Sequence, residues 1–488
     1  MAAMSPFRRF LPAAILVFCT STAFASDASS STVCVIGAGI ASASLSHFLT
    51  KTPLQPSPRI LVFERSAQVG GRIGTVHFPI TADRTVKIES GASIIAGSNQ
   101  LMRYFVQFLD LQAAPPRRGT LGLWDGSSLV LRTSANSKMR DSISFVQRYG
   151  RALFRMRRFV STLLSDYAKI YPLGGPGAEW PPCETMQQLF EPCHGLYNRS
   201  QMAFSEVVEQ LFSARLGSEL IAAITRVNYG QDPAEMNGFS GAVGLAGSGA
   251  DLWAVDGGNV QIVEQLLKRS KAEVLLNTKI ETVTSTKVDG KNRLKLESER
   301  DSWLCDIVVL AAPYETADVK FPEALAKSLS VDREFQRTHA TFVRGYLNSK
   351  TFGSDPPDAI LTTEGVSEPF TSVGIVWHDV DGKEPPIFKV FSKTKLTAPS
   401  LARIFQRGSK KLAQFPWLAY PKFNVPERFP MFSHNLPGGD VIYTSPVESA
   451  GSAMEMSAVS GANAASLIKQ KLRLEPEPAQ EESAKDEL

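Results

Sequence analysis

The chain has 488 residues, which is enough for two or three domain-sized cores. Hydrophobic residues make up 43% of it and charged residues 20%, a composition typical of a soluble globular protein. The net charge of +4 is small for this length and gives no reason to expect a nucleic-acid partner. Because spacings such as C-x-x-C and H-E-x-x-H do not occur, we predict no metal site.

Both ends of the sequence carry patterns typical of targeting signals. Arg8 and Arg9 precede an apolar run at residues 10–18, and Ala23 and Ala25 flank a cleavage-site pattern, so residues 1–25 are predicted to be a signal peptide. Residues 473–488 are rich in Pro and Glu and end in Lys-Asp-Glu-Leu. We expect a disordered acidic tail that presents this tetrapeptide to the ER-retention receptor, and a location in the ER lumen.

The first elements predict a dinucleotide-binding βαβ unit. An apolar strand at residues 32–36 is followed by a helix at 41–49 and a second strand at 60–63. Between the first strand and the helix, Gly37 allows a tight turn, Gly39 allows the backbone to approach a pyrophosphate, and Ser42 takes the place of a third glycine. Glu64 ends the second strand, where a carboxylate accepts hydrogen bonds from a ribose hydroxyl.

The later elements indicate two interleaved domains. Helical patterns cover residues 141–171 and 205–229, a small-residue loop is expected at 238–249, and a helix at 260–270. Strands follow at 274–283, 294–298 and 307–310, then a strand-rich, proline-broken region at 321–435, a strand at 441–443 and a helix at 454–471. We therefore predict an α/β fold in which residues 31–100, 257–315 and 438–472 form a Rossmann-like domain. Residues 101–256 and 316–437 form an α+β substrate domain.

Five segments resemble the flavin amine oxidase and phytoene desaturase superfamily. The segment at 64–75 contains Gly-Gly-Arg after the second strand, and 89–92, 278–283, 306–313 and 448–456 follow in the superfamily's order. The resemblance implies that the Rossmann-like domain binds FAD, and that Ile280 meets the adenine through its backbone. The predicted FAD-binding residues are Gly37, Gly39, Glu64, Arg65, Gly71, Arg72, Ile280, Glu448, Met454 and Glu455.

Three further motifs are more specific. Residues 226–231 (RVNYGQ), 252–259 (LWAVDGGN) and 452–458 (SAMEMSA) resemble prenylcysteine oxidases, called farnesylcysteine lyases in plants, and the likeness runs from about residue 32 to 470. It implies oxidation of S-farnesyl- or S-geranylgeranylcysteine with oxygen and water to cysteine, a prenyl aldehyde and hydrogen peroxide. Such a hydride abstraction needs a dry pocket and little acid–base help, and we name no catalytic residue. Among the histidines, His378 is the one to watch.

Two other functions are compatible with the sequence. An amine or polyamine oxidase on the same fold would need an acidic or aromatic cage for its cationic substrate. A non-catalytic FAD-binding ER protein would keep the fold without turnover. The resemblance also makes the lysosome or vacuole the alternative location.

Cysteines and surface residues give the remaining expectations. Cys34 and Cys305 lie in apolar strands and are expected to be buried thiols, whereas Cys183 and Cys193 are expected to form a disulfide in an oxidising compartment. Asn198 is in an N-glycosylation sequon and should be exposed. The arginines at 148, 151, 155 and 158 have helical spacing, which is typical of a solvated basic face or of a helix that contacts a membrane surface.

Overall fold

The computed structural model describes residues 30–52, 54–114, 119–134, 137–193, 195–248 and 251–474. The predicted signal peptide and residues 475–488 of the predicted tail lie outside these ranges. No helix in the described part of the chain is long and apolar enough to cross a bilayer.

The described residues contain twenty strands and seventeen α-helices. The strands are β1 (Thr32–Ile36), β2 (Arg59–Phe63), β3 (Thr75–Pro79), β4 (Thr85–Glu89), β5 (Ile95–Ala96), β6 (Leu121–Trp124), β7 (Leu129–Arg132), β8 (Leu252–Trp253), β9 (Glu273–Leu275), β10 (Thr282–Val288), β11 (Lys291–Glu297), β12 (Ser302–Cys305), β13 (Ile307–Leu310), β14 (Phe335–Arg344), β15 (Ala359–Thr362), β16 (Ser372–Trp377), β17 (Ile387–Ser392), β18 (Lys410–Pro421), β19 (Ser433–Leu436) and β20 (Gly439–Tyr443). The α-helices are α1 (Ile40–Lys51), α2 (Gln100–Phe108), α3 (Lys138–Tyr149), α4 (Arg151–Tyr167), α5 (Met186–Phe190), α6 (Leu196–Arg199), α7 (Phe204–Leu211), α8 (Ala214–Leu216), α9 (Ala222–Tyr229), α10 (Gly238–Ala246), α11 (Val260–Arg269), α12 (Tyr314–Ala317), α13 (Glu323–Leu329), α14 (Ser349–Phe352), α15 (Ala398–Ile404), α16 (Pro446–Gly451) and α17 (Met454–Leu474).

A six-stranded sheet forms the centre of the first domain. Its strand order is β19-β20-β13-β1-β2-β9, and all neighbours are parallel except the hairpin of β19 and β20. The strands come from three separated parts of the chain, with α1 connecting β1 to β2. The prediction of a Rossmann-like α/β domain interleaved with another domain is therefore confirmed. One boundary differs, because β19 pairs with β20 in this sheet although its residues were assigned to the substrate domain.

The two faces of the sheet are covered by different layers. Val33, Val35 and Val62 face the cluster that includes α1, α11 and α17, whereas Leu61 and Phe63 face the antiparallel sheet β10-β11-β12. Alternation along a strand sends successive side chains to opposite faces, and these strands are buried on both. The predicted strand at 274–283 is wrong as one element. The chain leaves the large sheet after Leu275, because Asn277 has a φ of 53° and donates its N–H to the Ser66 carbonyl.

The cysteine predictions are reversed by the structure. Cys34 in β1 forms a disulfide with Cys305 at the end of β12, so neither is a thiol. The strand order explains this, since Cys34 points to the face on which the β10-β11-β12 sheet packs. Cys183 and Cys193 are free and buried. The Cys183 backbone N–H donates to Asn463 of α17, and the Cys193 sulfur lies 4.0 Å from the Tyr167 carbonyl of α4.

The second domain combines a seven-stranded sheet with most of the helices. The sheet order is β18-β14-β17-β16-β15-β6-β7, with strands from residues 121–132 and 335–421. The loop predicted at 238–249 is wrong, because residues 238–246 form α10. Asn237 caps this helix by accepting the Ser240 N–H, and a side chain at Gly241 would collide with the Phe204 ring. Small residues here allow close helix packing rather than a loop.

Candidate active site

A cavity of about 730 Å³ is lined by residues of both domains. This volume lies in the upper part of the range usual for ligand and cofactor sites. The ten residues predicted to bind FAD all line this cavity, and their role as cofactor ligands stays a prediction. Its main lining segments are residues 36–41, 63–66, 70–73, 90–94, 226–230, 278–280, 311–313, 416–420 and 452–457.

The glycine loop lies at the carboxyl end of β1. Gly37 has a φ of 102° and donates its N–H to the Phe63 carbonyl at 2.8 Å, which fixes the turn against β2. Gly39 immediately precedes α1, and no side chain caps the N-terminus of this helix. A Cβ placed on Gly39 would meet nothing within 4 Å, so there is open space above the loop. Open space at an uncapped helix N-terminus suits a pyrophosphate group.

Glu64 joins the glycine loop to the end of β2. Its carboxylate is buried and accepts the N–H of Ala38 at 3.0 Å and that of Ser66 at 2.9 Å. An ionised carboxylate has about four acceptor positions, so capacity remains for a ribose hydroxyl. Ile280 is two residues beyond Thr278, whose N–H donates to the Glu64 carbonyl at 2.8 Å. Arg65 is exposed, and its guanidinium donates to the Thr316 carbonyl at 3.1 Å.

Arg72 and Glu448 form an ion pair in the cavity wall. Both terminal nitrogens of Arg72 donate to the Glu448 carboxylate, and Nη1 also donates to the Ala419 carbonyl at 3.0 Å. Glu448 therefore occupies the guanidinium fork of Arg72, a residue that the sequence predicts to bind FAD. Burial alone would raise the pKa of Glu448, but Arg72 and the hydroxyls of Ser452 and Ser457 outweigh burial and lower it. The pair therefore joins the Gly-Gly-Arg segment to α16 and β18 as charged groups.

Glu455 serves mainly to hold the helices around the cavity. It accepts the N–H groups of Leu101 and Met102, at 2.8 and 3.0 Å, and the hydroxyl of Tyr171 at 2.5 Å. The first two bonds cap the N-terminus of α2, where a negative charge is favourable. Burial raises the pKa of Glu455 to about 7, although these hydrogen bonds oppose the rise. Met454 lies at the start of α17 and lines the cavity.

The turn at residues 89–93 is supported by a lysine that the motif comparison did not reveal. Lys389 is buried in β17, and its ammonium donates to the carbonyls of Glu89 and Gly91 and to the Ser93 hydroxyl, at 3.0–3.2 Å. Burial lowers the pKa of Lys389 to about 8. The signal in the sequence is a lysine within the apolar strand IFKVFS, which a buried polar contact explains.

The rest of the cavity is mostly apolar and aromatic. Leu163, Leu164 and Tyr167 come from α4, and Phe239 and Val243 from α10. The sequence patterns did not predict α4 as part of the lining, and the apolar positions near its C-terminal end were the available signal. Trp417, Tyr420 and Tyr229 also line the cavity, with the two tyrosine rings packed edge to face at 5.0 Å. His378 does not line the cavity, so it has no role here.

These features fit FAD. The open space above Gly39, the uncapped start of α1 and the spare acceptor capacity of Glu64 suit the pyrophosphate and ribose. Gly71, Arg72 and Met454, together with the turn held by Lys389, line the same cavity and would hold the rest of the cofactor. The described residues contain no group of three or more His, Cys, Asp or Glu side chains that could hold a metal ion.

Comparison with known proteins shows which family the chain is similar to. Residues 133–481 match the prenylcysteine lyase family, and residues 35–108 match the NAD(P)-binding Rossmann-like domain. The farnesylcysteine lyase of Arabidopsis thaliana is 33% identical over 473 residues, covering 92% of this chain and 90% of the relative. The human prenylcysteine oxidase 1 is 32% identical over 464 residues, with coverage of 89% and 88%.

A solved structure gives independent support for the fold. The cyclohexylamine oxidase from Brevibacterium oxydans aligns with a TM-score of 0.61 over 91% of this chain and all of its own, at 15% identity. At that identity the likeness concerns the fold alone, and the family is shown by the sequence matches above. The chain belongs to the prenylcysteine lyase family of FAD-dependent oxidoreductases.

Proposed function

We propose that this chain is an FAD-dependent oxidase that cleaves S-prenylcysteine, with farnesyl- or geranylgeranylcysteine as substrate. The observation that carries the proposal is a single cavity in which dinucleotide-binding segments continue into apolar walls from α4 and α10. In the overall reaction, prenylcysteine, oxygen and water give cysteine, a prenyl aldehyde and hydrogen peroxide. The names of the relatives in Arabidopsis and human support this substrate class.

When bound, FAD supplies the hydride acceptor for the prenyl carbon attached to sulfur. The residues of the chain bind and orient the substrate. Leu163, Phe239 and Val243 offer apolar contact to the prenyl chain and keep water away from the reacting carbon. Binding should strengthen with prenyl length by up to about 0.8 kcal/mol per buried methylene. No side chain is assigned as acid or base.

The charges in the cavity favour a prenylcysteine over an amine. Outside the dinucleotide segments, the two charged residues among the described lining residues are cations, Arg226 and Lys393. Neither is a carboxylate, which a cationic amine would need as its partner. Tyr229 and Tyr420 pack against each other edge to face, at an interplanar angle of 70°, rather than as two facing walls of a cage. The amine-oxidase alternative is therefore not favoured.

Oxygen consumption by the purified protein tests this proposal. We expect uptake with farnesylcysteine and none with a polyamine such as putrescine. Uptake with the polyamine alone would support the amine-oxidase alternative. A flavin-loaded protein that is inert to both classes of compound would support a non-catalytic FAD-binding protein.

We also propose that α3 and the start of α4 contact an anionic membrane surface, where prenylated substrates partition. Three exposed apolar residues of α3, Met139, Ile143 and Val146, share one helical stripe, and Phe154 of α4 is 54% exposed. Exposed arginines lie on the same two helices, at positions 140, 151, 155, 157 and 158. Apolar groups flanked by basic ones suit anionic headgroups. We call these residues the α3–α4 surface. Arg148 is not part of it, since it pairs with Glu219.

For location we propose the ER lumen. The sequence patterns at residues 1–25 and 485–488 support this, and the Cys34–Cys305 disulfide agrees with an oxidising compartment. Asn198 is exposed as predicted, and its glycosylation stays a prediction. Deleting residues 485–488 should release the protein to secretion, or to a lysosome or vacuole, without loss of activity. Unchanged ER location of the truncated protein would contradict the receptor contact.

A further inference from the structure

One part of the cavity wall is polar, in contrast to the apolar walls from α4 and α10. It includes Arg226 of α9, Thr338 of β14, and Ser392 and Lys393 at the end of β17. Thr338, Ser392 and Lys393 are adjacent, because β14 and β17 are paired and Thr338 lies next to His339, the partner of Ser392. Proposed catalysis on the prenyl carbon does not use any of them.

Two ion pairs run from this wall toward solvent. The inner pair joins Arg226 Nη1 to Asp232 Oδ1 at 3.2 Å, and the side chain of Arg226 is only 8% exposed. Asp232 donates its backbone N–H to Glu235 Oε2 at 2.7 Å. The outer pair joins the same Glu235 oxygen to Lys393 Nζ at 3.7 Å. The inner pair thus anchors the half-exposed outer pair, which reaches the cavity through Lys393, while Glu235 is not itself one of the described lining residues.

The outer pair has unused bonding capacity. An ammonium has three donors, but in the described part of the chain Glu235 is the one partner of Lys393 within 4.0 Å, at a distance too long for a hydrogen bond. Oε1 of Glu235 accepts no hydrogen bond from the described residues. Beside their mutual ion pair, Lys393 therefore keeps unused ammonium donors and Glu235 keeps an unused carboxylate oxygen.

We infer that Lys393 binds the α-carboxylate, and Glu235 the α-ammonium, of the amino-acid head of the substrate. The inference rests on the proposed function, which gives the substrate a zwitterionic head and an apolar chain. The carboxylate and the ammonium of the head are attached to the same carbon atom. They match the ammonium of Lys393 and the carboxylate of Glu235, which lie 3.7 Å apart and are both half-exposed. A zwitterion left in the apolar part of the cavity would lose its hydration without compensation. The proposed site for the head lies near the turn at residues 89–93. Lys389, which holds that turn, is only four residues from Lys393, roughly 13 Å in an extended strand.

Calorimetric titration of the flavin-loaded protein tests this independently of turnover. The probes are S-dodecylcysteine, whose sulfur-bound carbon is not allylic, its methyl ester, which lacks the carboxylate, and its N-acetyl derivative, which lacks the ammonium. The variants are Lys393→Met and Glu235→Gln. Lys395→Met is the matched control, because Lys395 is an exposed lysine two residues away that does not line the cavity.

For the wild type and the control, we expect each modification of the head to weaken binding by about tenfold. Lys393→Met should weaken binding of the parent compound by about tenfold and leave that of the methyl ester unchanged. Glu235→Gln should weaken binding of the parent compound by about tenfold and leave that of the N-acetyl derivative unchanged. Equal weakening of all three compounds would mean a general structural effect and would overturn the inference, as would unchanged binding. Binding with the expected pattern but no oxidation of farnesylcysteine would instead contradict the proposed function.

Discussion

Among single residues, Glu64 gives the clearest prediction for the cofactor site. Glu64→Ala removes a charged acceptor for the ribose hydroxyl and the bond that holds Ala38, so FAD affinity should fall by roughly 1.5–3 kcal/mol. The measurement is flavin retention and affinity of the purified variant. Glu273→Ala is the control, since Glu273 is an exposed carboxylate that pairs with Arg59 away from the cavity. Unchanged affinity in Glu64→Ala would remove Glu64 from the site.

The motifs predicted which residues line the cavity better than they predicted what those residues contact. Gly37, Gly39 and Glu64 follow parallel strands, and short-range spacing is enough to bring them to one edge of the sheet. The partner of Arg72 was not predictable in this way, because Glu448 is 376 residues further along the chain. Lys389 was missed for the same reason, since its partners lie in a turn that only the folded chain brings near.

The packing of α1 against α17 gives a prediction at the scale of elements. A Cβ on Gly461 would lie 2.2 Å from the Ala41 carbonyl oxygen, so the two helices touch at a position where backbone must move to admit a side chain. Gly461→Ala should therefore destabilise the protein by about 1–3 kcal/mol in urea unfolding. In the control, Gly244→Ala, the added carbon lies at an ordinary 3.5 Å from Tyr229, and stability should not fall. Equal stability of both variants would contradict the close contact.

The α3–α4 surface should bind vesicles that contain anionic lipid. Met139→Ser with Ile143→Ser removes exposed apolar groups, and co-sedimentation should fall severalfold, as it should for wild type at high salt. Replacing Arg155, Arg157 and Arg158 by Glu should weaken binding further, because each basic residue near the membrane contributes about 1 kcal/mol. Val380→Ser, which changes an exposed apolar residue outside the α3–α4 surface, is the control. Equal binding to neutral and anionic vesicles would contradict the proposal.

Elements with a clear periodicity were predicted well, and two failures have physical causes. The helix starting near residue 260 and the strand at 307–310 agree with the structure to within a residue or so. Residues 238–246 form a helix because Asn237 caps it and its glycines admit Phe204, a tertiary effect that composition does not show. The strand at 274–283 divides at Asn277, where one residue with positive φ turns the chain out of the sheet.

For the whole molecule, the disulfide between Cys34 and Cys305 is the one covalent cross-link in the described part of the chain, and the sequence did not predict it. It joins β1, beside the glycine loop, to the β10-β11-β12 sheet across 271 residues of sequence. Peptide mapping without reduction should find this pair linked and Cys183 and Cys193 as thiols. The double variant Cys34→Ala and Cys305→Ala should lose about 2–5 kcal/mol of stability. Alkylation of Cys34 and Cys305 in denatured, unreduced protein would contradict the disulfide.

The interleaved architecture was predictable because strand and helix patterns typical of a Rossmann-like domain recur in three parts of the sequence. The order of these parts followed from the resemblance of the motifs. The pairing of cysteines was not, since it depends on which face of β1 the small antiparallel sheet covers. The contribution of α4 to the cavity was also hidden, although the spacing of its arginines indicated a basic face. One helix carries exposed arginines near its start and cavity residues near its end, and only the packed structure separates these roles.

The central claim is most directly tested by mixing the flavin-loaded protein with farnesylcysteine in the absence of oxygen. We predict that the flavin absorbance bleaches, and that air then restores it with equal amounts of free cysteine, prenyl aldehyde and hydrogen peroxide. Deuterium at the prenyl carbon attached to sulfur should slow the bleaching if hydride transfer limits it. A flavin that stays oxidised with prenylcysteines but bleaches with a polyamine would contradict the account.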